Sequence, residues 1–243
     1  MLEYERFALL LDSPEAKLGR MAMRLLELGI DVMYANDLDE AALLSRQEVS
    51  RLGAVLTSSQ GPRSHIENIV NRVCSGLDAG ASSLILVGPE LAEEKAAALR
   101  DLGIQWRICE PYDERDLRFG LSLAMSKEHA DDRRKSLRIP TEIPTAVFMG
   151  RYRQDVTVYD LSLSGAYFAS PHPFLPGSQL SIEIPLPDGP FVAKGEVRNA
   201  KTADVTGRAD VPDGMGVAFT HINEKSTNLL QGFVHSWLKR FTL

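Results

Sequence analysis

The sequence predicts an α/β domain built on a doubly wound parallel sheet, followed by a small antiparallel β-barrel. In the first 126 residues, short apolar runs alternate with amphipathic stretches, the order that builds a parallel sheet covered by helices on both faces. Beyond residue 140, apolar residues recur with a period of two between turns rich in Gly, Pro, Asp and Ser. The length of 243 residues is sufficient for two such cores.

The first half contains five predicted strands, each followed by a predicted helix. The first strand is Phe7–Leu11, and Ser13 and Pro14 predict that a helix begins there, since Ser is a good N-cap and Pro is favoured in the first turn. Gly29 ends that helix. Further strands are predicted at 31–35, 54–57, 82–88 and 105–109, and further helices at 38–47, 64–77, 90–102 and 113–126.

A polar, charged segment at 127–140 ends in Pro140 and is predicted to be the linker between a domain at 1–126 and a domain at 141–243. The second domain is predicted to contain six short strands and one helix. The strands are expected at 147–151, 154–159, 166–169, 179–184, 191–199 and 215–220. The helix, Glu224–Phe241, has an apolar face that is expected to plug or flank a small barrel.

Charge and cysteine content restrict the function classes. The net charge is −6, so no global basic excess predicts binding to nucleic acid or to an anionic membrane, and any anion site must be local. Residues 1–126 carry 13 basic and 20 acidic side chains (net −7), and residues 127–243 carry 14 and 13 (net +1). Cys74 and Cys109 lie in separate apolar segments, as expected of core thiols in a reducing compartment.

The N-terminus is also unlike an export signal. Glu3 and Glu5 stand where a signal peptide would be basic, and no apolar run approaches the roughly 20 residues of a membrane span. A cytoplasmic location is therefore expected.

The strand and helix order of the first half resembles the receiver domain of response regulators, but its chemistry differs. The resemblance implies an acidic cluster after the first strand, an acceptor Asp ending the third, and a Lys before Pro after the fifth. Here only Asp12 remains at the first position, the third strand ends in Thr57-Ser58-Ser59, and Glu110 precedes Pro111. The fourth strand ends in Gly88, where the family has Ser or Thr. These departures predict a pseudo-receiver that docks a protein partner and holds no magnesium, because one carboxylate is a poor magnesium site. An unrelated α/β domain that spaces or dimerises the protein is the alternative.

Two short motifs stand in order in the second half. The first is R-x-x-x-R, formed by Arg134 and Arg138 and preceded by Arg133, and the second is D-x-S-x-x-G, formed by Asp160, Ser162 and Gly165. Both together arise by chance on the order of one time in a hundred in a stretch of this length. With the ending Gly214–Phe219, which looks like the last barrel strand, these motifs resemble the PilZ domain, a bacterial receptor for cyclic di-GMP, over about 110 residues.

The resemblance implies a role for each motif residue. Cyclic di-GMP has two phosphates and two guanines, and the forked guanidinium groups of Arg134 and Arg138 suit phosphate, guanine acceptors and ring faces. Arg133 is expected to influence whether one or two ligands are bound. Asp160 is suited to the N1 and N2 donors of guanine, and Ser162 offers a second polar contact. Gly165 is expected to allow close approach, because a side chain there would clash with the base or forbid a positive φ.

The predicted function is a cyclic di-GMP receptor that closes its arginine loop on the ligand and changes the arrangement of its domains to signal to a protein partner. No catalytic motif is found, the five histidines lack metal-ligand spacing, and neither enzyme activity nor a cofactor beyond the ligand is expected. A ligand-independent scaffold in motility or appendage assembly is the alternative, and DNA binding by the basic loop is a weaker one. Partner identity, a homodimer and ligand stoichiometry stay open.

Overall fold

The computed structural model describes residues 6–13, 17–77, 80–125, 137–202 and 211–243, except for the side chains of residues 81 and 82. The chain divides into two compact units. The first contains residues 1–130 together with Arg240–Leu243, and the second contains residues 131–239.

The first unit is a five-stranded parallel sheet with helices between the strands. The strands are β1 (Phe7–Leu11), β2 (Val32–Ala35), β3 (Leu52–Ser58), β4 (Leu84–Gly88) and β5 (Trp106–Cys109). The helices are α1 (Gly19–Glu27), α2 (Leu38–Gln47), α3 (Arg63–Ile69), α4 (Glu93–Arg100) and α5 (Glu114–Met125). The strand order is β2-β1-β3-β4-β5, which is the doubly wound order of flavodoxin-like folds, so the predicted fold class is confirmed.

Burial explains why the strands of this sheet can be predicted from the sequence. Every residue of β1, β3 and β4 is buried, because a parallel sheet is covered on both faces and its central strands therefore consist mostly of apolar residues. Helix α2 has the predicted bounds, and its N-cap is Asp37, whose carboxylate accepts a hydrogen bond from Glu40 N at 2.9 Å.

The predicted start of α1 is wrong. The helix begins at Gly19, its N-cap is Leu18, and no side chain caps it. The carboxylate of Asp12 accepts a hydrogen bond from Leu18 N at 2.7 Å, so the chain after β1 is tied back to Asp12 before the helix starts. The predicted helix at 64–77 is also shorter, since α3 passes into a π-helical turn at Val70–Cys74.

The last four residues of the chain complete the core of the first unit. Phe241 is 2% exposed and meets Phe119 edge-on with the ring centroids 4.8 Å apart. Leu243 N donates to Gln105 O at 3.0 Å, and Arg240 forms an ion pair with the buried Asp116 at 2.9 Å. The second domain was expected to run to residue 243, whereas these four residues pack with the first unit.

The second unit is a closed antiparallel barrel of six strands, as predicted. The strands are β6 (Ile139–Met149), β7 (Tyr152–Ser162), β8 (Gly165–Ala169), β9 (Gln179–Leu186), β10 (Gly189–Lys201) and β11 (Gly214–Ile222). Their order around the barrel is β10-β11-β8-β7-β6-β9, and β9 pairs with β10 to close it. Strand β9 shows the expected alternation, with every second residue buried from Leu180 to Leu186.

The first strand of the barrel, β6, begins inside the segment that was predicted to be a linker. The predicted linker end is wrong, because Pro140 is the second residue of β6, where it pairs with Asp160.

Helix α6 (Glu224–Phe241) has the predicted bounds, and Asn223 caps it by accepting a hydrogen bond from Ser226 N at 2.8 Å. Ser226 in turn accepts a hydrogen bond from Val192 N of β10 at 3.1 Å, which fastens the helix to the barrel.

Candidate functional site

The start of β6 lies beside the end of β7, which brings parts of the two motifs together. Ile139 pairs with Leu161 and Pro140 pairs with Asp160. Continuing this antiparallel register by one residue sets Arg138 opposite Ser162. Arg138 is exposed, so its guanidinium group is accessible beside the second motif. Arg133 and Arg134, the other two arginines of the predicted site, lie outside the described residues.

Asp160 is half-buried on the outside of the barrel because of an irregularity in β7. Val158 pairs with Phe168 of β8 and Asp160 pairs with Tyr167, so Tyr159 is an extra residue in the strand. Such a bulge changes which side chains face outward. Sequence reasoning predicted Asp160 but missed its cross-strand partner Tyr167, for which the only signal is that it stands two residues after Gly165 in a strand of period two.

Ser162 holds the turn between β7 and β8. It is 4% exposed, and its hydroxyl donates a hydrogen bond to Gly165 O at 3.0 Å. The hydroxyl of Ser164 lies 3.5 Å away. The Ser162 hydroxyl therefore shapes the turn that follows Asp160.

Gly165 is required by the approach of two strands. A Cβ at this position would collide with the backbone carbonyl of Val217 in β11, with which β8 pairs. Gly165 is not among the described glycines with positive φ, so of the two reasons expected for glycine, close approach and a positive φ, the second does not apply. The close approach is between two strands of the barrel, and the reason for glycine exists without any ligand.

We expect Gly165→Ala to lower the free energy of unfolding of the barrel by about 1–3 kcal/mol, because backbone atoms must move to admit the methyl group. Chemical denaturation followed by circular dichroism measures this change. Gly232→Ala is the matched control, since Gly232 lies in α6 and, apart from its own helix turn, no described atom lies within 4 Å of the point that an added methyl group would occupy. Alanine there should stabilise by about 0.5–1 kcal/mol. Equal, small effects in both variants would contradict the strand-approach explanation.

At the carboxyl edge of the first unit's sheet, the side chain of Asp12 is engaged by neighbouring groups of the protein. Asp12 is 5% exposed, and Lys17 Nζ lies 3.2 Å from its carboxylate. Burial raises the pKa of Asp12, but hydrogen bonds from Tyr34, Leu18 N and Lys17 lower it more, so the pKa lies below its usual value. Burial and the Asp12 carboxylate raise the pKa of Tyr34 to about 12, so that phenol stays protonated and donates. The ammonium group of Lys17 thus pairs with the carboxylate that ends up at this edge of the sheet.

Of the neighbouring strands, β3 ends in hydroxyl side chains and β4 ends in glycine. Ser58 is the last residue of β3 and Ser59 follows it, and the ammonium group of Lys95 donates to Ser59 O at 2.9 Å and to Gly61 O at 3.3 Å. A Cβ at Gly88 would collide with the Ser59 hydroxyl, so β4 ends in close contact with the segment that follows β3. Among the described residues, no group of three or more His, Cys, Asp or Glu side chains forms a metal site.

We expect no aspartyl phosphate on incubation with a small phosphodonor such as acetyl phosphate. The end of β3 has hydroxyls instead of a carboxylate, and Asp12 is held by Lys17. Intact-mass spectrometry at acidic pH, with a phosphorylatable receiver treated in parallel, is the measurement. A stable phosphate that is lost in Asp12→Asn would contradict the pseudo-receiver interpretation.

The second unit thus has the architecture of a small closed β-barrel domain with one helix after its last strand. The model of the PilZ domain family matches residues 132–236, so this part of the chain is a PilZ domain. PilZ domains are typically binding and regulatory domains. In the ranges that the structure describes, no helix has the length and apolar composition needed to cross a membrane.

Solved structures resemble the two units separately. The PilZ domain of YcgR from Escherichia coli with c-di-GMP is 20% identical, with 45% of this chain and 93% of that one covered and a TM-score of 0.35. The Bacillus subtilis inhibitor of motility MotI/DgrA is 17% identical, covering 48% of this chain but only 58% of that one, with a TM-score of 0.37. A receiver domain protein from Clostridium thermocellum is 17% identical, with 49% and 94% covered and a TM-score of 0.42. No curated protein matches the chain.

Proposed function

We propose that this protein is a receptor for cyclic di-GMP, which binds at the arginine motif and the outer face of the barrel. The observation that carries the proposal is that the PilZ match at 132–236 contains both motifs in order, and the pairing of Pro140, two residues after Arg138, with Asp160 supports it. The PilZ resemblance implies this ligand, and the residue types suit it.

The chemistry of the ligand divides between the two motifs. Its phosphates need cations that form two hydrogen bonds at once, which arginine provides and lysine does not. Its guanines present N1 and N2 donors, for which the carboxylate of Asp160 is an acceptor. Arg138 is exposed and Asp160 is half-buried on the barrel exterior, so both groups are reachable from solvent.

An isothermal calorimetric titration of the full chain with cyclic di-GMP, with GTP as control, tests this function. We expect micromolar or tighter binding of cyclic di-GMP, no comparable binding of GTP, and a stoichiometry that shows whether one or two ligands are held. Absence of heat, together with absence of any thermal stabilisation by saturating ligand, would contradict the proposal and favour the ligand-independent scaffold.

We further propose that ligand binding signals to a protein partner through the first unit by changing the arrangement of the domains. The arginine motif, at 134–138, stands in the sequence a few residues after the boundary between the two units, so a ligand bound there acts close to their connection. Small-angle scattering with and without saturating ligand measures the effect. Identical profiles would contradict switching while leaving binding intact.

A further inference from the structure

Four residues form a continuous row across the outer face of the barrel. Asp160 pairs with Tyr167, Tyr167 pairs with Gly216, and Gly216 pairs with Asn199, so the row crosses β7, β8, β11 and β10 in direct register. Tyr167 alternates with the fully buried Phe168, which places its side chain on the outside of the barrel. One motif residue, Asp160, is thus the end of a larger polar and aromatic surface.

The Tyr167 side chain is held in place by its neighbours. Its hydroxyl donates a hydrogen bond to Pro212 O at 2.7 Å, and its ring meets that of Tyr159 at 71° with the centroids 6.2 Å apart. In this edge-to-face arrangement, Tyr159 covers at most one face of the Tyr167 ring. Burial and the nearby carboxylates of Asp213 and Asp160 raise the pKa of Tyr167, which keeps the phenol protonated as the donor to Pro212.

Asn199 has a fixed orientation at the other end of the row. Its Oδ1 accepts a hydrogen bond from Gly216 N at 3.0 Å, and a Cβ at Gly216 would collide with the carboxamide. The carboxamide therefore lies over Gly216, on the strand that adjoins Tyr167. Asn199 is exposed, and among the described residues none accepts a hydrogen bond from its Nδ2, so this end presents N–H donors to solvent.

We propose that this row is the platform for one guanine base of the ligand, with Tyr167 and Asn199 as binding residues beyond the two motifs. The base stacks on the Tyr167 ring, its N1 and N2 donors bond to Asp160, and its O6 and N7 acceptors bond to Nδ2 of Asn199. This inference rests on the proposed receptor function and specifies which base the receptor selects.

The arrangement discriminates guanine from adenine at both ends of the row. Adenine has an amino donor at the position of guanine O6, which meets the donors of Asn199. Adenine also has no N2 amino group, and its N1 is an acceptor that meets the Asp160 carboxylate. The platform therefore predicts that cyclic di-AMP binds much more weakly than cyclic di-GMP.

Calorimetric titrations of the full chain with cyclic di-GMP and cyclic di-AMP test the platform in three variants. Tyr167→Leu removes the ring and should weaken cyclic di-GMP binding by about fivefold to a hundredfold, whereas Tyr167→Phe keeps the ring and should stay within about threefold. Asn199→Asp keeps the acceptor for Gly216 N–H but removes the donors. It should reduce the preference for cyclic di-GMP over cyclic di-AMP by about fivefold or more, a ratio that the added charge alone does not change because both ligands have the same phosphates.

Tyr152→Leu is the matched control, because Tyr152 lies at the opposite end of β7 and is 60% exposed. This variant should bind cyclic di-GMP as the wild type does. Wild-type binding that is weakened by Arg138→Ala but unchanged in both Tyr167→Leu and Asn199→Asp would overturn the platform and leave the receptor function standing. Absence of cyclic di-GMP binding by the wild type would overturn the receptor function and the platform with it. Melting temperatures of the variants separate loss of binding from loss of folding.

Discussion

Arg138→Ala is expected to weaken cyclic di-GMP binding by about tenfold to a hundredfold, equivalent to about 1.5–3 kcal/mol for hydrogen bonds to a charged group. Arg138 is exposed and directly precedes β6, whose first residues pair with Leu161 and Asp160, so its removal takes away a cation of the proposed site without opening a cavity in the core. Calorimetry measures the change, and from the motif alone Arg134→Ala should show a loss of similar size.

Arg151→Ala is the control for this experiment, because Arg151 is an exposed arginine in the turn between β6 and β7, away from both motifs. It should bind cyclic di-GMP as the wild type does, within the small change that a surface charge causes through long-range electrostatics. If Arg138→Ala and Arg134→Ala both bind as tightly as Arg151→Ala, the arginine motif is not the ligand site.

Phe241→Ala is expected to lower the free energy of unfolding of the first unit by about 3–5 kcal/mol, the usual cost of removing a buried aromatic ring. Phe241 is 2% exposed, and its ring packs edge-on against Phe119 in α5. Because the protein has two units, a single global transition is not assumed. Hydrogen exchange of the amides of β4 and β5 reports the stability of the first unit directly.

Leu175→Ala is the control. Leu175, like Phe241, is a large apolar residue, but it lies near a chain turn and its side chain is 75% exposed. Its substitution should change the free energy of unfolding by less than about 0.5 kcal/mol. Unchanged exchange of β4 and β5 in Phe241→Ala would mean that the last four residues do not belong to the core of the first unit.

Local periodicity explains which elements were predictable. The apolar runs at β1, β3 and β4, the helix Leu38–Gln47 and the helix Glu224–Phe241 follow from spacing within one segment of chain. The start of α1 was not predictable in this way, because the carboxylate of Asp12 takes Leu18 N and the good capping residue Ser13 stays outside the helix. Pro140 is typical of the end of a linker, yet it lies in β6, where its pairing with Asp160 depends on a strand twenty residues away.

The candidate site divides in the same way between local and long-range information. The identities and order of Arg134, Arg138, Asp160, Ser162 and Gly165 are present in the sequence and were sufficient to recognise the PilZ domain. The surroundings of these residues in the folded domain were not predictable from the sequence. Strand pairing and its register decide that Gly165 lies against the carbonyl of Val217. They also decide that Asp160, Tyr167 and Asn199 lie in one row across the barrel. Strand pairing joins residues far apart in the chain through backbone hydrogen bonds that every residue type except proline forms alike, so side-chain patterns predict that strands exist, and only the folded barrel decides which residues face each other.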